Sequence, residues 1–147
     1  SACEKGARWQ EALDIFSDMR PHNLQPNVIA YNAVISAYEK GARWTQALGM
    51  FSGMRLRCLE PTVITATAAI SACEKGARWQ EALDIFSDMR PHNLQPNVIA
   101  YNAVISAYEK GARWTQALGM FSGMRLRCLE PTVITATAAI SACEKGA

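Results

Sequence analysis

The sequence predicts an all-α solenoid, because it repeats at a fixed period and each repeat holds only two short amphipathic helices. The stretch RWQEALDIFSDMR at residues 8–20 returns unchanged at 78–90, and the related stretch at 43–55 returns at 113–125. Residues 1–70 recur as 71–140, and each 70-residue cycle contains two related halves of 35 residues. Two helices of about 12 residues each cannot enclose a core, so each pair must stack on its neighbours.

The first helix of a unit is predicted over residues 28–40. Its apolar residues follow at steps of three and four, which is typical of a helix packed on one side. They are Val28, Tyr31, Ile35 and Tyr38. Asn27 precedes the helix as a cap, as do Thr62, Asn97 and Thr132 in the other units, and Gly41 ends it.

The second helix is predicted to begin near Arg43. Its buried stripe consists of Trp44, Ala47, Leu48, Phe51 and Met54. The companion unit follows the same plan, with Val63, Ala66, Ile70 and Cys73 on its first helix and Trp79, Ala82, Leu83, Phe86 and Met89 on its second. Pro91 should end that second helix early, because proline cannot donate the next helical hydrogen bond.

The whole chain, 1–147, is therefore expected to be one repeat array. It divides into a partial repeat 1–27, full repeats 28–62, 63–97 and 98–132, and a partial repeat 133–147. An array that starts and stops inside a repeat exposes the apolar face meant for a neighbour. We therefore expect either a longer array or end-to-end association of copies.

Composition argues against several classes of protein. The formal charge of +2 predicts only weak bulk attraction to nucleic acid. No apolar run approaches the roughly 20 residues of a membrane helix, so no membrane partner is expected. The five cysteines lack Cys-x-x-Cys spacing, which favours reduced structural thiols over a zinc site or disulfide framework. His22 and His92 have no ligand cluster or nucleophile beside them, so we predict a non-enzyme without a cofactor or metal.

The period of 35 and three phased motifs resemble the pentatricopeptide repeat. The motifs are Val-Ile-x-Tyr-Asn-Ala-Val-Ile in the first helix, Ala-Leu-x-x-Phe-x-x-Met in the second and Leu-x-Pro at the close. The resemblance covers the whole chain. It implies a right-handed superhelical α-solenoid of helix-turn-helix repeats, with the first helices on the concave side. It also implies single-stranded RNA as partner, one base per repeat, in mitochondria or plastids.

The resemblance assigns base selection to two residues of each repeat. They are Asn32 with Thr62, Thr67 with Asn97, and Asn102 with Thr132. The second pair matches the family's adenine combination, whereas the first and third depart from its common pairs and imply a loose pyrimidine preference. The positions whose side chains sandwich bases in this family hold Ile29, Ile64 and Ile99.

Helical geometry supports the same face independently of the resemblance. Ile29, Asn32, Ser36 and Lys40 are spaced three and four apart, so they share one side of the first helix. Stacked repeats then form an apolar row, a hydrogen-bonding row and a row of lysines, Lys40, Lys75 and Lys110, able to meet phosphates. Ordinary helix caps and solvated polar faces would show the same residue types.

A second functional class remains open: a self-assembling structural solenoid or filament. The two alternating versions could read little more than a pyrimidine-adenine alternation. The second helices of one version also carry glycines four apart, although glycine costs about 1 kcal/mol inside a helix. These are Gly49, Gly53, Gly119 and Gly123. Simple tolerance explains them, or their bare surface lets a helix of another solenoid approach closely.

Overall fold

Helices make up most of the chain that the structure, a computed structural model, describes: residues 9–19, 27–127 and 129–146. Within these ranges there are eight α-helices and one short 3-10 helix, and no strand. The α-helices are α1 (Trp9–Asp18), α2 (Val28–Lys40), α3 (Trp44–Leu56), α4 (Val63–Lys75), α5 (Trp79–Met89), α6 (Val98–Lys110), α7 (Trp114–Leu126) and α8 (Val133–Gly146); the 3-10 helix is Arg90–His92. None of these helices is long and apolar enough to cross a membrane.

The helices form two layers. The first helices α2, α4, α6 and α8 pack directly on one another in sequence. The second helices α3, α5 and α7 each pack on the first helix of their own repeat and on the first helix of the next. Because the first helices approach each other more closely than the second helices do, their row lies on the inner side of the curve. The predicted all-α solenoid is confirmed.

The helix starts agree with the predicted caps. Asn27 and Asn97 accept a hydrogen bond through Oδ1 from the backbone N–H three residues on, at 2.9 Å in both cases. Thr62 and Thr132 do the same through Oγ1, at 3.3 Å. Each cap satisfies one of the unpaired N–H groups at a helix start.

The turn between the two helices of a repeat places its glycine at an unexpected position. α2 ends at Lys40 as predicted, but Gly41 has φ −86°, and the left-handed residue is Ala42 with φ 56°. The glycine serves packing instead: a Cβ added to Gly76 would lie 2.3 Å from Cδ1 of the Trp44 ring of the preceding repeat. The turn therefore forms part of the interface between repeats.

An arginine completes the contact around each of these tryptophans. The Arg78 guanidinium carbon lies 4.7 Å from the centroid of the Trp44 ring, and that of Arg113 lies 4.5 Å from the Trp79 ring. Contacts of this kind add roughly 0.5–1 kcal/mol at exposed sites. The glycine and the arginine both belong to the repeat that follows the tryptophan, so their contacts with the ring hold successive repeats together.

Burial on the first helices is wider than the predicted stripe. Tyr31, Ile35 and Tyr38 are buried as predicted, but so are Val34 and Ala37. Helix α2 packs on α3 of its own repeat and also on α1 and α4 of the neighbouring repeats, and therefore buries more than one side. On the second helices, Ala47, Phe51 and Met54 are buried as predicted, whereas Trp44 and Leu48 are half-buried.

The two unit types end their second helices differently. α5 stops at Met89, and Pro91 follows two residues later in the 3-10 helix, so the predicted early end is confirmed. Asn93 then adopts φ 63°, and Cys58 holds the equivalent left-handed position in the other unit with φ 61°. Asparagine tolerates this region better than cysteine does.

The described cysteines are free thiols. Cys73 is fully buried, and burial, followed by the charge of Glu81, raises its pKa to about 12. A thiol of this kind is an inert part of the core. Cys58 and Cys143 are exposed, whereas Cys3 and Cys128 lie outside the described residues, as does His22.

Candidate nucleic-acid interface

The exposed edge of the first helices forms the candidate interface, on the inner side of the curve. Its most conspicuous feature is a row of bare isoleucines at the second residue of each helix. Ile29 is 75% exposed, Ile64 69% and Ile99 60%. Large apolar side chains that are mostly exposed and recur in register form a surface suited to a partner. The predicted apolar row is therefore present and accessible.

The selector residues of the third full repeat lie in direct contact. Asn102 Nδ2 donates to Thr132 Oγ1 at 3.2 Å. Asn102 Oδ1 accepts a hydrogen bond from the Thr135 hydroxyl in the following repeat. In the first full repeat, Asn32 Oδ1 likewise accepts from Thr65. Both asparagines are half-buried, with their amides held by the next first helix.

The selector residues of the middle repeat are arranged differently. Thr67 is 9% exposed, and its hydroxyl has no hydrogen-bond partner among the described residues. Asn97 uses Oδ1 to cap α6. A buried hydroxyl without a partner costs about 1–3 kcal/mol, so a ligand that completes its hydrogen bonds would recover part of that cost.

The predicted phosphate-binding lysines are each close to a carboxylate. Lys75 pairs with Glu39, and Lys110 Nζ lies 2.8 Å from Glu74 Oε1, in both cases across to the preceding repeat. Lys40 Nζ lies 3.6 Å from the adjacent Glu39. The lysine row is therefore partly neutralised and retains exposed ammonium groups, since Lys40, Lys75 and Lys110 side chains are 45%, 37% and 42% exposed.

Glu74 and Glu109 each accept a further hydrogen bond from the following repeat. The hydroxyls of Ser106 and Ser141 donate to Glu74 Oε1 and Glu109 Oε1, at 2.8 and 2.9 Å. Burial alone would raise the pKa of Glu109. The hydrogen bonds from Ser141 and Lys145 and the charges of Lys145 and Lys110 outweigh it, so the net shift is downward.

An open groove of about 400 Å³ is lined by residues of the predicted apolar, hydrogen-bonding and lysine rows. It crosses α2, α4 and α6, and its lining includes Lys40, Lys75, Ile99 and Asn102 together with Glu39 and Glu74. Apolar, amide and charged groups thus meet in one surface. This combination suits a polymer that has both aromatic bases and phosphates.

The glycines proposed for lateral assembly lie on the second helices, away from this groove. A Cβ added to Gly49, Gly53, Gly119 or Gly123 would meet nothing within 4 Å. On α5 the corresponding line carries the exposed Asp84 and Asp88 and the half-exposed Glu81. Lateral assembly stays a prediction.

Sequence reasoning did not find the threonines and glutamates that connect the rows between repeats. Thr65 donates a hydrogen bond to a residue 33 positions earlier in the chain, and Glu39 accepts one from a residue 36 positions later. One signal was present: the third residue of the first helix is Thr65 in one unit and Ala30 in the other, so only one of the two units carries a hydroxyl at this position. Within the described ranges, no three His, Cys, Asp or Glu residues could together hold a metal ion.

Family comparisons agree with this geometry. The sequence profile of the PPR repeat family matches residues 26–75 and 96–145, and the profile of the single PPR repeat matches residues 64–90. The chain belongs to the pentatricopeptide repeat family. A comparison with curated protein sequences gave no significant match.

Solved pentatricopeptide repeat proteins superpose well. PPR10, solved in complex with an 18-nt psaJ RNA element, aligns with a TM-score of 0.78 and 28% identity over 93% of this chain and 20% of its own. The structure of PPR10 from maize gives the same TM-score and identity over 95% of this chain. The PPR domain of Arabidopsis thaliana protein-only RNase P 1, solved with tRNA, aligns with a TM-score of 0.83 and 16% identity, over 94% of this chain and 73% of its own. This chain spans about a fifth of the PPR10 chain.

Proposed function

We propose that the inner face of this array binds single-stranded RNA, with about one base for each repeat. The observation that carries the proposal is the recurrence, every 35 residues, of an exposed isoleucine beside a polar selector pair. The complex of PPR10 with an RNA element, at 28% identity to this chain, supports the choice of ligand.

Each part of the face has a physical role in this proposal. Bases stack between successive isoleucines, which removes the apolar side chains and the base surfaces from water. Asn32 with Thr62, Thr67 with Asn97, and Asn102 with Thr132 donate and accept hydrogen bonds at the base edges. Lys40, Lys75 and Lys110 attract the phosphates and share their charge with the glutamates.

The selector pairs favour a pyrimidine, an adenine and a pyrimidine over the three full repeats. Asn32 and Asn102 stand in the same environment, so they should prefer the same kind of base. The unpartnered Thr67 hydroxyl distinguishes the middle repeat. An array of this kind reads an alternating sequence.

Binding of short labelled RNA oligomers, measured by fluorescence anisotropy, tests the proposal. We expect single-stranded oligomers with alternating pyrimidine and adenine to bind at least about tenfold more tightly than the duplex of the same sequence. Oligomers that contain only adenine serve as the sequence control and should bind more weakly. Equal affinity for single strand and duplex would contradict the proposal.

The alternative is a self-assembling structural solenoid or filament formed by end-to-end stacking of identical repeats, with lateral contacts through the open glycines of the second helices. Light scattering over a concentration series, in nuclease-treated solution, separates the two functions. Concentration-dependent growth of particles that is lost on Gly49→Ala and Gly119→Ala would favour assembly. A constant particle size together with RNA binding would favour the RNA-binding module.

A further inference from the structure

Two buried threonines join successive repeats at the selector row. Thr65 and Thr135 are the third residues of α4 and α8, and both are fully buried. Their hydroxyls donate to Oδ1 of Asn32 and Asn102, respectively, in the preceding repeat. Neither threonine belongs to a predicted selector pair.

The hydrogen bonds made to the Thr65 hydroxyl oxygen determine which acceptor its own proton is donated to. The Thr62 N–H donates to Thr65 Oγ1 at 3.1 Å, and the Thr62 hydroxyl lies 3.1 Å from the same atom. A hydroxyl has one proton, and a carbonyl oxygen can only accept. The Thr65 proton therefore goes to Asn32, and the Thr62 hydroxyl donates to Thr65. All three hydrogen-bonding positions of the Thr65 hydroxyl are filled.

This arrangement determines what the asparagine offers to a ligand. Because the threonine hydroxyl holds Oδ1 on its own side of the amide, the Nδ2 group, which only donates, lies on the other side. In the third full repeat, Asn102 Nδ2 reaches the Oγ1 of its selector partner Thr132 at 3.2 Å. The amide is thus held in one orientation, with its donors on the side of the selector pair.

The middle repeat provides an internal contrast. The residue equivalent to Thr65 in α6 is Ala100, which is fully buried and has no hydroxyl. The selector that precedes it, Thr67, has no hydrogen-bond partner among the described residues. The positioning contact is therefore present at alternate junctions, and its absence coincides with the change of selector from asparagine to threonine.

We propose that Thr65 and Thr135 are positioning residues that orient the asparagine of the preceding repeat, so that it presents N–H donors to a hydrogen-bond acceptor on the base, such as a pyrimidine carbonyl oxygen. Base choice by one repeat then depends on a third residue, supplied by the following repeat. This inference rests on the proposed RNA-binding function only for its ligand. The orientation of the amide is a property of the protein alone.

The first arm of the test needs no RNA. ¹⁵N relaxation of the Asn32 and Asn102 side-chain amides is compared between the wild type, the double variant Thr65→Val and Thr135→Val, and the double variant Thr65→Ser and Thr135→Ser. We expect ordered amides in the wild type and serine variant, and mobile amides in the valine variant. The control is Thr45→Val with Thr115→Val, the same substitution at exposed outer positions. Amides that remain equally ordered in the valine variant would overturn the proposal.

The second arm measures base selection. The ratio of affinities for a pyrimidine and for adenine is measured at the positions facing the Asn32 and Asn102 repeats. We expect this ratio to fall about fivefold in the valine variant, which corresponds to the loss of one hydrogen bond. The serine variant and the control should keep the wild-type ratio. The preference at the middle repeat should not change, because Ala100 stands there. A valine variant with undiminished selectivity would overturn the role in base choice.

The two arms separate the failure of this inference from the failure of the proposed function. If the wild type binds no RNA, the proposed function fails, and the relaxation data still decide whether the threonines position the amides. If the double valine variant loses its helical circular dichroism, the single Thr135→Val variant replaces it. In that variant the Asn32 amide, with its threonine intact, is the internal reference; equal order at both asparagines would contradict the inference.

Discussion

At the scale of single residues, the turn between the two helices of a repeat shows how packing decides the sequence. Gly76 accommodates the Trp44 ring of the neighbouring repeat, and the left-handed position falls to the exposed Ala77, with φ 56°. A sequence pattern alone would assign the left-handed position to the glycine. The contact with a ring 32 residues earlier overrides that local rule.

Substitutions at these two neighbouring positions should therefore have opposite effects. Gly76→Ala should lower the free energy of unfolding by about 1–3 kcal/mol, because the new methyl group overlaps the Trp44 ring. Ala77→Gly should raise it by roughly 0.5 kcal/mol, because glycine relieves the left-handed strain at some entropic cost. Urea unfolding followed by circular dichroism measures both. A neutral Gly76→Ala would show that the ring moves aside freely.

The capping residues could be predicted from the sequence because their interactions are local. Asn97 and Thr62 bond to an N–H three residues away, within one helical turn. The partners of Asn32 and Lys75 could not be predicted in the same way, because they lie in other repeats. For these side chains the sequence indicates the face but not the contact.

At the scale of the helices, each inner first helix is a middle element with neighbours on both sides. The predicted stripe of α2 was Val28, Tyr31, Ile35 and Tyr38. Val28 is only half-buried, and the structure adds Val34 and Ala37 to the buried residues. Small residues such as Ala37 and Ala72 are not strong hydrophobic signals, and periodicity therefore underestimates their burial. The helix boundaries were predictable, whereas the second buried side follows only from stacking.

The contact between α6 and α8 should depend on pH through Glu109. Its pKa in the fold is lowered, so its contribution to stability is complete above its ordinary pKa of 4.5 and is lost as the pH falls through the lowered value. Thermal unfolding of Glu109→Gln should thus occur at a lower midpoint than that of the wild type at pH 7, and the difference should disappear in acid. Glu60→Gln, at an exposed loop position, is the control. A difference that persists unchanged below the lowered pKa would contradict the assignment.

At the scale of the whole molecule, the array carries little excess charge, so the placement of charges matters more than their sum. The net charge is +2, and the lysines of the inner face share their charge with Glu39 and Glu74. In the proposed complex, RNA phosphates compete with these carboxylates. The electrostatic attraction of the array for RNA should therefore be moderate, and contacts to the bases should add to it.

Removal of the competing carboxylates should strengthen RNA binding and its dependence on salt. In the double variant Glu39→Gln and Glu74→Gln, the slope of log K against log salt should steepen towards about −2, the value for three lysines on single-stranded RNA. The control, Glu60→Gln with Asp84→Asn, makes the same change of net charge at exposed sites away from the groove. If both double variants gain affinity equally, net charge alone explains the effect.

The central claim, that the inner isoleucine row binds RNA bases, has one direct measurement. It is the affinity for the alternating pyrimidine-adenine oligomer of the triple variant Ile29→Ala, Ile64→Ala and Ile99→Ala. Its reference is Leu56→Ala with Leu126→Ala, which removes two apolar side chains that are still more exposed, 86% and 85%, from the second helices. The account predicts a loss of at least about tenfold in the isoleucine variant and none in the leucine variant. Equal affinities in the two variants would contradict it.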